Sequence, residues 1–318
     1  MSIDIRRASP DDRTAINSLL RRSLNAGDDP RYDSFLEWKH RENPFGPSYE
    51  WVATIDDAIV GYRSFLRWEF VVDGTVRTAV RAVDTATERE HHGKGIFSAL
   101  TLHGIEKLVD DGVACVFNTP NDASRPGYLK MGWSVVGKVP VAVMPRSPVA
   151  LRHLRNARQP AARWSEPCDV FEPAVAALEN AGLLAETTAN VRRADGQWLT
   201  HRTPAFLRWR YGHADLNYRG LTRDDGSVVV FRVRRRGPLV EAMIADVIGP
   251  GDATPALGRS ARATLRATRA DVAVIAGRAR PRAALPIGGP QLTWRPVCHD
   301  QIPAITQLSL RGGDVELF

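Results

Sequence analysis

The sequence predicts an α/β protein: a mixed, mostly antiparallel sheet flanked by helices, followed by a second α/β domain of similar build. Three observations predict it. First, Trp51–Ile55, Ala58–Val72 and Thr75–Thr87 are apolar, β-branched runs separated by Asp56-Asp57 and Asp73-Gly74, which read as three antiparallel strands joined by tight turns. Second, the last of these runs passes through a glycine-containing loop, Glu88 to Gly95, into apolar residues at helical spacing: Ile96, Ala99, Leu100, Leu102, Ile105 and Leu108. Third, Phe206-Leu207-Arg208-Trp209-Arg210-Tyr211 echoes Phe35-Leu36-Glu37-Trp38-Lys39-His40, and similar elements follow each copy.

Taken in order, Ile3, Ile5 and Ala8 alternate with polar residues and open the chain on a strand. Ser9-Pro10-Asp11-Asp12 starts a helix with a capping serine and a proline in its first turn, and Ile16, Leu19, Leu20 and Leu24 form its apolar face. A second helix, Tyr32 to His40, ends in the turn Asn43-Pro44-Phe45-Gly46-Pro47. After the three strands, a helix runs from about Gly95 to Asp111-Gly112, a buried strand from Val113 to Phe117, and a closing hairpin over Trp133–Gly137 and Val139–Met144. Residues 146–190, rich in Arg, Ala and Pro, read as a linker with one helix from Ala174 to Leu184. The second half repeats the order with strands at Leu216–Leu221, Ser227–Val233 and Leu239–Ile248, a helix at Thr254–Arg269 and a strand at Val272–Ala276. This predicts domains at 1–145 and 191–318.

Strand, glycine loop, helix start is an anion-binding arrangement. Gly93 and Gly95 free the backbone, and the first helical N–H groups have no internal partner. His92 and Lys94 add donors. Downstream stands Asn121-Asp122-Ala123-Ser124-Arg125-Pro126-Gly127-Tyr128-Leu129-Lys130-Met131-Gly132-Trp133. The loop from His92 resembles the pyrophosphate loop of the GNAT superfamily (Gcn5-related N-acetyltransferases), Arg/Gln-x-x-Gly-x-Gly/Ala. The downstream segment is similar to that family's Asn-x-x-Ala-x-x-x-Tyr-x-Lys-x-Gly-Phe element, matched at Asn121, Tyr128, Lys130 and Gly132. His92 stands where Arg or Gln is usual, and Phe97 where a second Gly or Ala is usual. In the second half, Gly249-Pro250-Gly251-Asp252-Ala253 replaces the loop and no Tyr-x-Lys-x-Gly-aromatic follows, so this domain resembles a GNAT domain that has lost its cofactor site.

The resemblance implies an N-acyltransferase, most simply an N-acetyltransferase, that moves an acyl group from acetyl-CoA or another acyl-CoA to an amine in a ternary complex. The implied cofactor-binding residues are Thr85, Ala86 and Thr87 on the strand, His92, Gly93, Lys94, Gly95, Ile96 and Phe97 in the loop and helix start, and Asn121. Trp38 and Phe45 are candidate walls of the acceptor pocket. Tyr128 matches the family's general acid: a phenol of pKa about 10 suits a thiol leaving group of pKa about 8.5. An alkylamine of pKa about 10.4 must lose a proton before it attacks; the candidate bases are Asp84, Glu88, Glu90 and His91, with Asp84 on the strand beside the thioester. Two alternatives are an aminoacyl-tRNA-dependent transferase of the tandem-GNAT kind, against which the intact glycine loop argues, and an acyl-CoA-binding module without turnover.

Composition bounds the rest. The 318 residues carry a net charge of +7, with arginines dispersed and few aromatics among them, so a nucleic-acid partner is not expected. No apolar run reaches membrane-spanning length, and no hydrophobic core follows Met1, which predicts a cytoplasmic location without membrane association. Cys115, Cys168 and Cys298 have no metal or redox spacing, and no metal is expected. The expected partner is a small-molecule amine.

Overall fold

The computed structural model describes residues 3–24, 26–156, 159–185, 196–250, 253–299 and 301–316. Two compact units divide the chain, one of Met1–Gly137 with Gln291–Ala304, the other of Lys138–Pro290 with Ile305–Phe318.

In the first unit, β1 (Asp4–Arg7) leads through a 3-10 turn into α1 (Arg13–Ser23) and α2 (Arg31–His40). Then follow β2 (Tyr49–Ile55), β3 (Ala58–Val72), β4 (Thr75–Thr87), α3 (Ile96–Asp110), β5 (Cys115–Asn118), α4 (Arg125–Lys130) and β6 (Ser134–Lys138). The expected strands and the glycine-loop helix are all present. The hairpin turns form as their residues dictate: Asp56, Asp57, Asp73 and Gly74 take positive φ, the primed-turn geometry that matches strand twist. One core joins Trp51, Phe65, Val80, Ile96, Leu100, Leu108, Tyr128 and Trp133. Helix α3 comes close to the sheet because Gly61 leaves room: a Cβ there would lie 2.6 Å from Ile96 Cγ2.

The second unit contains β7 (Val141–Pro145), α5 (Pro148–Asn156), β8 (Glu172–Pro173), α6 (Ala174–Asn180), a two-residue strand β9 (Leu199–Thr200) and α7 (Pro204–Gly212). It continues with β10 (Arg219–Thr222), β11 (Val228–Arg236), β12 (Leu239–Ile248), α8 (Ala253–Thr268), β13 (Val272–Ala276) and β14 (Leu285–Ile287). Strand β15 (Gln291–Pro296) and the short helix α9 (Gly312–Val315) complete the chain. The sheets run β1-β2-β3-β4-β5-β15-β6 and β8-β10-β11-β12-β13-β7-β14. Each has a parallel pair at the same place, β4 with β5 and β12 with β13.

That order corrects the boundary at 145. Strands β6 and β7 are no hairpin: β7 pairs with β13 and β14, while β15 enters the first sheet beside β5. The reason is burial. Ala142, Val143 and Met144 are consecutive buried residues, which suits a strand covered on both faces inside a sheet. Trp294 of β15 is fully buried against Phe70 and Phe117. Residues 146–190 are not a free linker either, since β8 pairs with β10 in the second sheet. The loop positions Gly251 and Asp252 lie outside the described residues.

Candidate active site

The site grows out of an irregularity in β4. Register slips between Arg63 and Ser64 of β3, so Arg63 faces Thr85 and Ser64 faces Val83, leaving Asp84 as the extra residue of a bulge. Asp84 takes φ +29°, an unusual value for a side-chain-bearing residue. Beyond the bulge β4 loses its other neighbour, because its pairing with β5 covers only Ala79–Arg81. Residues Ala82–Thr87 therefore lie beyond the paired stretch, where an extended ligand can add as a strand would.

The loop after β4 meets the same space. Gly93 and Gly95 adopt φ of +78° and +76°, a backbone conformation that favours glycine. A Cβ at either position would meet no heavy atom within 4 Å, so the loop faces open space. Among the described residues, the amides of Gly93 through Phe97 meet no protein acceptor, while Ala99 N–H begins the helical ladder on Gly95 O at 3.0 Å. A cavity of about 490 Å³ is lined by Thr85, Ala86, Thr87, His91, His92, Gly93, Gly95, Ile96 and Phe97. His92 donates Nε2–H to Thr87 O at 2.9 Å, which folds the loop back on the strand end.

Most of the expected cofactor residues thus come together on one cavity. Two do not. Lys94 is exposed and its Nζ lies 3.0 Å from His91 Nδ1. Asn121 accepts from Ser124 N–H at 2.8 Å and from Ser124 Oγ–H at 2.9 Å, which orders the start of α4. Trp38 and Phe45 do not line this cavity: Trp38 is buried against Phe35, and Phe45 is half-buried in the turn after α2.

Asp84 is a poor base as placed. Its side chain, 6% exposed, lies 2.7 Å from Lys39 Nζ and 2.8 Å from His40 Nε2. Burial pushes its carboxyl up, but the Lys39 ammonium and the His40 hydrogen bond outweigh burial and hold it well below the usual carboxylate range. The same arrangement fixes α2 to the bulge.

Tyr128 is placed by the start of α4. Pro126 sits in its first turn, where no helical N–H is needed, so the helix is not interrupted. Gly127 makes room for Phe97: a Cβ there would lie 3.1 Å from Phe97 Cε1. The Phe97 ring meets Tyr128 edge-on at 5.3 Å, and Trp133 closes the other side at 5.0 Å. The larger residue at position 97 is therefore accommodated. Arg63 donates Nη1–H to Tyr128 Oη at 2.8 Å. Sequence reasoning missed Arg63, Lys39 and His40. For Lys39 and His40 the signal was the echo of Lys39-His40 in Arg210-Tyr211; Arg63 gave none.

Residues 4–136, which include all of this geometry, match the family model described as the acetyltransferase (GNAT) domain. The first domain is a GNAT domain. Among solved structures, a probable N-acyltransferase from Enterococcus faecalis is similar at 13% identity and TM-score 0.65, over 94% of this chain and 73% of that one. A GCN5-related N-acetyltransferase from Anabaena variabilis matches at 13% identity and TM-score 0.62, over 93% and 73%. Eis1 from Mycobacterium abscessus matches at 15% and 0.57, over 93% and 74%. At such identities the likeness is one of fold, and it extends beyond the GNAT domain into the second unit. A search of the curated proteins by sequence finds no match.

The second unit holds a cavity of about 440 Å³ at the corresponding ends of β12 and β13, but its surroundings differ. The chain segment Ser309–Gly312 forms one wall. A Cβ on Gly277 would lie 2.6 Å from Leu310 O, and one on Gly312 only 2.3 Å from Ile244 O. Arg311 is bonded to Asp246 and to Val247 O, and Arg202 joins Asp246 at 2.6 Å to Asp314 at 2.7 Å. Among the described residues, no group of side chains could hold a metal ion, and no helix is long and apolar enough to cross a membrane.

Proposed function

We propose that the GNAT domain transfers an acyl group, most simply acetyl, from a coenzyme A thioester to a small amine by direct attack in a ternary complex. The observation that carries this reading is the set of unbonded amides at Gly93–Phe97, opening on the same 490 Å³ cavity as the end of β4. The diphosphate accepts from those amides at the positive end of α3. The pantetheine arm lies along Ala82–Thr87 and brings the thioester to the bulge. A strand amide there stabilises the oxyanion as the amine attacks. Tyr128 protonates the departing sulfur.

Asp84 takes a structural part in this scheme: its carboxylate holds the bulge and is committed to Lys39 and His40. The amine then gives its proton to water. An acceptor of pKa about 10.4 is only about 1% neutral near pH 8.4, so kcat/KM should rise about tenfold per pH unit below that. A plateau near neutral pH would instead reveal a dedicated base.

Isothermal titration with acetyl-CoA, followed by thiol release across a panel of small amines, tests the reading. One molecule bound per chain and amine-dependent thiol release are expected. Absence of binding would overturn it. Binding without turnover on any amine would leave a coenzyme A-binding module, and binding of charged tRNA in place of acetyl-CoA would point to the aminoacyl-transfer alternative.

A further inference from the structure

Arg63 is a cation in an unusual setting. Its residue is fully buried. Its guanidinium carbon lies 4.6 Å from the centre of the Phe65 ring, 5.4 Å from Tyr128 and 5.9 Å from Phe97. The single bond to Tyr128 Oη uses one donor, and Nε and Nη2 are buried with no acceptor among the described residues. Among the described residues no carboxylate pairs with it, in contrast to the buried arginines of the second unit, Arg210 and Arg232, which face Glu316. Burying a charge without a counter-ion is costly, and aromatic faces recover only part of that cost. An apolar side chain of similar volume would pack this place at no loss. The charge therefore has its use in an event that brings negative charge to it.

We propose that Arg63 is a positioning residue for Tyr128 in acyl transfer. Its guanidinium fixes the phenol hydroxyl and faces the negative charge that forms when the proton leaves. The inference rests on the acyl-transfer reading above. As the amine nitrogen bonds to the carbonyl carbon and the C–S bond breaks, the electron pair stays on sulfur. Tyr128 Oη gives its proton to that sulfur and becomes a phenolate bonded to Arg63. The amine's surplus proton passes to water, and water reprotonates the phenolate. Arg63 lies across from Thr85, and Thr85 and Phe97 line the cavity, so the charge sits behind the wall the thioester would touch.

Variants Arg63→Met, Arg63→Lys, Tyr128→Phe and the Arg63→Met/Tyr128→Phe pair test this, with kcat and KM for acetyl-CoA and thermal midpoints measured on each. Arg63→Met should lower kcat by about 100-fold with KM within about twofold, and Arg63→Lys should restore about tenfold of that. The double variant should be no slower than Tyr128→Phe alone, because both act through one hydroxyl. The melting midpoint of Arg63→Met should equal or exceed the parent's. An active parent with kcat unchanged in Arg63→Met, or effects that multiply in the double variant, would overturn the proposal alone. A lowered midpoint that Arg63→Lys restores together with kcat would make Arg63 merely structural. A parent that binds acetyl-CoA and turns over no amine would remove the acyl-transfer reading and this proposal with it.

Discussion

The two sheets share a frame and differ in what their clefts contain. In both, the fourth strand in order carries a bulge: Asp84 is the extra residue of β4, and Ala245 is the extra residue of β12, where register slips between Val230 and Phe231. In both, the echoed helix reaches that bulge. His40, the last residue of the first motif, lies 2.8 Å from Asp84, and Tyr211, the last residue of the second, donates its hydroxyl to Asp246 at 2.9 Å. The contents are opposite. Gly93 and Gly95 look onto open space, while Gly277, Gly312 and Gly313 are pressed against the chain. Arg210 donates to Gly313 O at 2.8 Å and 3.1 Å, and Glu316 accepts from Arg232, Arg234 and Tyr218, so the last segment is bound into the second unit. The helix-to-bulge tether thus recurs where the sequence lacks the glycine loop. What separates the two clefts is the loop beside the first and the chain segment Ser309–Gly312 that walls the second.

The largest effect should come from breaking a tether. Asp84→Asn leaves the Lys39 ammonium buried without its anion and should cost about 3–5 kcal/mol of unfolding free energy. Hydrogen exchange followed by mass spectrometry would locate the loss in the first unit; a change under about 1 kcal/mol would show the pair to be dispensable. Acid should find the same sites. Asp84 lies well below the usual carboxylate range; for Glu316, burial raises the carboxyl, but Arg232, Arg234 and Arg210 overcome it and bring it to about 2. Both groups bind protons more weakly in the folded chain than in the unfolded one. Their stabilisation is therefore complete above about pH 4 and is lost as pH falls through their lower folded values. Denaturation series between pH 5 and pH 2, as an order-of-magnitude window, should show a slope that Asp84→Asn and Glu316→Gln each flatten.

A second pair of variants separates the clefts. Gly95→Val places a β-branched residue at φ +76° in the open loop and should weaken acetyl-CoA binding about 100-fold, or about 2.7 kcal/mol. Gly312→Ala should do the reverse. Its Cβ would meet Ile244 O, so it should cost about 1–3 kcal/mol of stability while the affinity of the folded protein stays within about twofold. Titration calorimetry and urea melts on both variants decide the matter; loss of acetyl-CoA affinity in folded Gly312→Ala would tie the second cleft to the first site.

Local pattern made much of this legible. The turns Asp56-Asp57 and Asp73-Gly74 fixed the limits of β3 and β4, and the glycine loop announced the start of α3 within a residue. The echoed helix disclosed the second sheet. Pairing at long range was not legible. Nothing in Val141–Pro145 tells which sheet it joins, because a strand buried on both faces has no alternation to read, and β15 lies more than a hundred residues from β5. The partners of charged residues were not legible for a related reason. Asp84 looked catalytic from its place in the strand, and only the folded chain shows Lys39 and His40 beside it. Arg63 gave no signal of burial, since arginine in a strand is read as solvent-facing by default.

The smallest effect tests how tightly the aromatic residues beside the first cleft are packed. Gly127→Ala would bring a methyl to 3.1 Å from Phe97 Cε1, so the ring must yield by a few tenths of an ångström. Replacing glycine by alanine inside α4 gains up to about 1 kcal/mol of helix propensity, which offsets the crowding. Stability should therefore change by less than about 1 kcal/mol. Phe97 stands edge-on to Tyr128, however, so its displacement should move the phenol and lower kcat about threefold to tenfold. Phe97→Leu in the same chain should relieve the crowding and return part of that rate. A fall in stability above about 2 kcal/mol would mean that Phe97 cannot shift and that its bulk is a fixed part of the core. An unchanged kcat would mean that the ring moves without taking Tyr128 with it.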